Sequence, residues 1–235
     1  MSRAAHLLAA LALPGLAAPA AAAPARRAAP AARDWSRTVA ATSEGGFRMG
    51  NPAAQVKLVE YGSLTCIHCA AFAREGEPAL VARYVRTGKV SYEFRNYILN
   101  GTDVAASLLA RCSGAGGFFR MTASLYATRS HWIDPIARLP QGQRDAIAAM
   151  TVEQRLIRLA EVGGLFQIAA RFGVPPARGR QCLADQAAFD RLGSMEQAGQ
   201  ALGVTGTPTF FLNGTMLDVN EWAGVEPLIR QAVGG

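Results

Sequence analysis

The chain has 235 residues, half of them hydrophobic, and a formal net charge of +7. This is enough apolar chain to bury a real core, in one domain with an insertion or at most two small domains. The positive charge is carried by arginines spread along the sequence, with no Lys/Arg block and no interleaved aromatics, so it reads as a solvated basic surface and excludes nucleic acid as the partner.

In chain order, Arg3 is followed by an uncharged run over residues 4–25, with an apolar centre at 7–13 and small-residue sites at 20–25. This is the pattern of a cleaved secretory signal, and Pro14, Gly15 and Pro19 weigh against an uncleaved membrane anchor. Residues 1–25 are therefore assigned to a signal peptide. Residues 26–46, Ala/Pro/Arg-rich at their start, are assigned to a leader within which the domain proper begins near Asp34-Trp35. Export implies an oxidising compartment, taken as the periplasm, in which the four cysteines can pair as two disulfides.

Gly50-Asn51-Pro52 reads as a turn before a strand over residues 56–62, a mostly apolar run suited to burial on both faces of a helix-covered sheet. Glu60 is the one acid in that run. A helix is expected next, with Thr65 as its N-cap and Cys66 in its first turn, running to about Arg86, kinked or split at Pro78 and stopped by Gly88. Val90, Tyr92 and Phe94 alternate with Ser91, Glu93 and Arg95 as in a strand, which completes a βαβ unit. Helical patterning then takes over. Val104, Leu108 and Cys112 share a face, Thr151 with Gln154 forms a capping-box pattern, and Phe189, Leu192, Met195 and Leu202 mark a returning helix. The chain closes with a strand over 208–212, an Asn213-Gly214 hairpin turn and a strand over 215–219. A helix from about Val225 follows, with Pro227 in its first turn and Leu228, Ile229 and Val233 packed on the sheet.

The chemistry is concentrated in Cys66-Ile67-His68-Cys69. At a helix start, unpaired N–H groups and the macrodipole favour an anion, which here is a thiolate at Cys66. Cys69, one turn deeper on the same side, is placed to attack a mixed disulfide formed on Cys66. Haem attachment would require His directly after the second cysteine, where Ala70 stands, and zinc would require a second chelating pair, whereas Cys112, Cys182 and His131 stand apart. An inert bridge closing so short a loop constrains little chain. A redox pair is the reading that fits.

From Trp35 to the C-terminus the chain resembles the DsbA family of thioredoxin-fold thiol-disulfide oxidoreductases. The resemblance rests on Val59-Glu60-Tyr61-Gly62-Ser63-Leu64-Thr65-Cys66-Ile67-His68-Cys69, the following Phe72, the helical insertion, and Val204-Thr205-Gly206-Thr207-Pro208-Thr209-Phe210-Phe211. It implies an α/β, thioredoxin-like fold in two parts, 47–102 and 188–235, around a helical insertion domain over 103–187. It implies Cys66 as nucleophile, Cys69 as the buried resolving cysteine, and His68 as a stabiliser of the Cys66 thiolate. Glu60 matches the family's buried acid, with a raised pKa and a proton to exchange with Cys69; its other reading is a strand-end acid reaching water, Lys57 or an Arg. Thr207-Pro208 matches the cis-proline loop, whose Thr207 N–H and C=O would pair with a substrate peptide beside Ile67; its other reading is an ordinary trans proline. Ile67 stands where the family usually has proline, and Thr207 where its best-known oxidases have valine.

Cys112 and Cys182 read as a structural disulfide stapling the insertion, with a buried free thiol at Cys112 as the alternative. Phe118, Phe119 and Trp132 read as core side chains, with a place bordering the substrate groove as the alternative. The expected function is an exported enzyme that oxidises dithiols in reduced or unfolded secreted proteins. By resemblance, it would be reoxidised by a membrane quinone-linked partner of the DsbB type, as a monomer without metal or organic cofactor. A reductase or isomerase, suggested by Thr207, and a metal-handling or peptide-binding protein using the thiols as ligands are the alternatives.

Overall fold

The computed structural model describes Met1 and residues 33–234, so the rest of the signal peptide assigned to 1–25, and leader residues 26–32, lie outside it. The folded chain opens with a 3-10 turn, Trp35–Arg37, capped by Asp34, whose Oδ1 accepts from Ser36 N at 3.0 Å. Two short antiparallel strands follow, β1 (Val39–Ala41) and β2 (Phe47–Gly50), with the connection closed by a Thr42 N–H donating to Gly46 O. β1 falls inside the segment assigned to the leader, so the folded domain starts before residue 47. Two alanines in a three-residue strand carry no alternating pattern, and only pairing with β2 makes the segment a strand.

Next come β3 (Val56–Gly62), α1 (Ile67–Glu75), α2 (Glu77–Leu80) running into a π turn at Val81–Val85, and β4 (Val90–Asn96). The helix expected up to Arg86 is split as Pro78 predicts, with the break at Gly76, because Pro78 lacks an N–H and its ring disfavours helical backbone just before it. Gly88, at φ +81°, turns the chain into β4 where a side chain would be strained. The insertion comprises α3 (Gly101–Cys112), α4 (Gly114–Ala127), α5 (Arg129–Ala137), α6 (Gln141–Ala148), α7 (Val152–Val162), α8 (Leu165–Ala170) and α9 (Pro176–Leu183). Thr151 and Gln154 form the full capping box at α7. α10 (Gln186–Ala201), β5 (Thr209–Leu212), β6 (Thr215–Met216) and α11 (Trp222–Ala232) complete the chain.

Three terminal expectations are corrected. Leu202 caps the end of α10 and is 53 % exposed, since the helix stops before its apolar face is completed. β6 is shorter than 215–219, although Leu217 N still donates to Phe210 O. α11 begins at Trp222, which puts Pro227 in its second turn, and its buried residues are Val225 and Ile229.

The six strands lie in the order β1-β2-β4-β3-β5-β6, with β3 and β4 parallel and the other pairs antiparallel. Alternation along the central strands sorts two cores. Val56, Leu58, Tyr92, Phe94 and Phe210 join Leu64, Phe72, Phe118 and Ile229 in the larger one, whereas Tyr61, Tyr97, Val204 and Phe211 form a smaller one on the other face, where Tyr61 packs against Gly199 of α10. Glu60 shares the parity of Leu58 and so points into the larger core, beneath α1.

Candidate active site

Register brings the site together. Glu60 lies opposite both Phe94 of β4 and Phe210 of β5, and Tyr61 lies opposite Thr209, so residues 62–65 leaving β3 sit beside Thr207-Pro208 entering β5. The Thr207-Pro208 peptide is cis. Cys66 is itself the N-cap of α1, with extended backbone, and its Sγ accepts from Cys69 N at 3.4 Å. This corrects the expectation that Thr65 would cap the helix and Cys66 lie in its first turn. Thr65 Oγ1 is occupied by Ser63 Oγ and Asn100 Nδ2, both at 3.0 Å, which leaves the cap to sulphur.

Cys66 and Cys69 are both free thiols and both buried, but their surroundings push them apart. The Cys69 thiol donating to Cys66 sulphur is the largest influence at Cys66; burial opposes it, and the contact with Thr207 and the backbone N–H groups of Cys69 and His68 assist. The result is a Cys66 pKa pulled down from 9.0 to about 5. Burial pushes Cys69 well above its ordinary value, and the nearby Cys66 and Glu60 charges push it further. Cys66 Sγ also lies 3.2 Å from Thr207 O, to which its thiol donates when protonated. Thr207 Oγ1 is buried with no hydrogen-bond partner among the described residues. His68 and Ile67 are exposed, Ile67 by 64 %, and form the outer rim of the site. His68 therefore favours the thiolate through its main-chain N–H.

Glu60 is 1 % exposed and accepts a short hydrogen bond from Tyr92 Oη. Desolvation raises its pKa to about 8, against the Tyr92 bond, with the Glu77 and Cys66 charges adding to the rise. Its partner among the described residues is the Tyr92 hydroxyl inside the core, and not Lys57. Cys112 and Cys182 are joined, S–S 2.00 Å, linking α3 to α9. Phe118, Phe119 and Trp132 are core residues.

Several residues at the site carried no sequence signal. Glu77 follows the break between α1 and α2 and lines a cavity of about 520 Å³ with Ala73, Val81, Phe119 and Arg120, and burial raises its pKa to about 7. Asp103, fully buried, is pushed up to about 6 by desolvation although it accepts several hydrogen bonds. Asn100, Tyr126 and Arg129 also reach the loop before Cys66. All of these meet the site through tertiary packing, and no local motif announces such contacts.

A family model described as thioredoxin matches residues 42–231. Candidate protein-disulfide oxidoreductases of Rickettsia prowazekii and Rickettsia conorii are 28% identical over 172 residues and 32% identical over 167, covering 72% and 71% of this chain. These matches cover 55% and 52% of the relatives, so the chain spans about half the length of the curated relatives it matches. Among solved structures, protein-disulfide isomerase from Novosphingobium aromaticivorans is 29% identical with a TM-score of 0.75, over 80% of this chain and 97% of that one. Alpha-DsbA1 of Wolbachia pipientis, at 23% identity, TM-score 0.63 and coverage of 80% and 90%, shares the fold.

Proposed function

The chain belongs to the thioredoxin family, with a DsbA-like arrangement of sheet and helical insertion, and on that premise we propose that it is a protein-disulfide oxidoreductase working as an exported dithiol oxidase. The observation that carries the reading is the asymmetry of the pair: Cys66 is stabilised as a thiolate at the surface end of the site, and Cys69 is held as a thiol beside a buried acid.

Starting from the Cys66-Cys69 disulfide, a substrate thiolate attacks Cys66 sulphur and the S–S bond breaks, its electron pair leaving on Cys69. Glu60, protonated near neutral pH, is the group placed to give that thiolate a proton. A second substrate thiolate then attacks the substrate sulphur of the mixed disulfide and expels Cys66 as its favoured thiolate. The substrate leaves with a new disulfide and the enzyme leaves as the dithiol. An extended substrate would lie along Thr207, with Ile67 as its apolar neighbour.

Substrates are proposed to be reduced or unfolded exported proteins in the periplasm, and the reoxidant a membrane quinone-linked protein of the DsbB type. Residues 4–25 support export, and no helix among the described residues is long and apolar enough to cross a membrane. The test is catalysed oxidation of a reduced, unfolded protein with a glutathione disulfide supply, in wild type and Cys66→Ser; activity equal in both sinks the proposal. An isomerase reading is favoured by the name of the Novosphingobium relative. Faster rescue of a scrambled protein than oxidation of a reduced one would select it.

A further inference from the structure

The residues immediately before the nucleophile are held by side chains of the helical insertion. Tyr126 Oη of α4 donates to Ser63 O at 3.1 Å. Asp103 of α3 accepts from Leu64 N at 3.0 Å with one oxygen and from Leu99 N at 3.1 Å with the other. Asn100 Nδ2 donates to Thr65 Oγ1 at 3.0 Å, and Arg129 of α5 donates from Nε and Nη2 to Thr65 O at 3.0 and 2.6 Å.

Arg129 is the one whose chemistry exceeds the bonds it makes. Its guanidinium fork, shaped for a carboxylate or phosphate, is placed on a neutral carbonyl, and among the described residues it forms no ion pair. It also stands at the start of α1, where the macrodipole already places partial positive charge, so the two together favour an anion at the helix start. The carbonyl it holds belongs to the residue preceding Cys66, a few covalent bonds from the sulphur. Resting on the oxidoreductase reading, we infer that Arg129 is a positioning residue for the nucleophile, fixing the Thr65 carbonyl and setting a positive charge behind Cys66 that favours its anionic form. The other titratable and polar groups at this loop and the thiols are Cys69 and His68 of α1, Glu60 of β3, Asp103 of α3, Tyr126 of α4 and Thr207 before β5.

The test compares full-length wild type with Arg129→Met, which keeps length without charge, and Arg129→Lys, which keeps charge without the fork. Thiolate absorbance in the ultraviolet against pH, the equilibrium with a glutathione buffer, and thermal melting are measured on each. The Met variant should move the Cys66 titration midpoint up by about one unit. It should also shift the glutathione equilibrium about tenfold toward the disulfide, ~30 mV less oxidising. The Lys variant should recover part of both shifts. A Met variant that melts earlier but leaves midpoint and equilibrium unmoved makes Arg129 a structural clamp and overturns the inference alone. A wild-type protein whose Cys66 does not exchange with glutathione overturns the oxidoreductase reading and this inference with it.

Discussion

Replacing Glu60 by glutamine tests the electrostatics beneath the redox pair. The native carboxyl holds its proton to about pH 8, whereas an unfolded glutamate loses it near 4.5. Between those values the native state binds more protons than the unfolded chain, so stability falls as pH rises, by at most ~1.4 kcal/mol per unit. Integrated, burial of Glu60 costs about 3 kcal/mol at pH 7 and about 4 at pH 8. Glu60→Gln removes that titration while keeping a carbonyl oxygen for Tyr92 Oη. The new amide N–H must find a partner in the core, and if it does not, about 1–3 kcal/mol is lost at every pH. This offset cannot alter the slope. Urea unfolding of wild type and variant, with Cys66 and Cys69 as free thiols, should therefore show the difference between them changing in the variant's favour by about 3 to 4 kcal/mol in all from pH 5 to 8. Parallel curves over that range would refute the buried, protonated carboxyl. Oxidation of substrate should also slow in the variant, because Cys69 would leave the disulfide without its proton donor.

Further outcomes follow from the same geometry. Iodoacetamide should label reduced native protein at Cys66 with a midpoint near pH 5 and leave Cys69 unmodified, and peptide mapping that finds Cys69 modified first would reverse the assigned roles. Asp103→Ala leaves the N–H groups of Leu64 and Leu99 without their acceptor and should cost about 3 kcal/mol in urea unfolding; a loss under about 0.5 would mean that the loop re-pairs without it. Changing Cys112 and Cys182 together to alanine opens a loop with a sequence separation of 70 and should cost about 4 kcal/mol in the chain-entropy model, read as a lower urea midpoint; an unchanged midpoint would show that the bond constrains little.

Much of this arrangement was legible in the sequence because its signals are local. The apolar run of β3, the alternation of β4, the Asn213-Gly214 turn and the capping box at Thr151 each appear as expected. What escaped was decided elsewhere in the chain. β1 exists because β2 offers it an edge. Cys66 displaces Thr65 as the cap because Asn100, far along the sequence, occupies the Thr65 hydroxyl. Glu77, Asp103 and Arg129 look like ordinary helix polar residues until packing places one against a cavity and the others on the loop before the nucleophile. His68 stands exposed at the rim of the site, and its main-chain N–H at the helix start is among the groups that favour the Cys66 thiolate, a contribution that no side-chain motif announces.

The most direct test of an oxidising Cys66-Cys69 pair is its equilibrium with a glutathione redox buffer, read by thiol trapping and mass spectrometry. A Cys66 held as a thiolate at pH 7 stabilises the dithiol, so the potential should lie well above the roughly −270 mV of thioredoxin. A value at or below that of thioredoxin would contradict the account and make the protein a donor of electrons to its substrates.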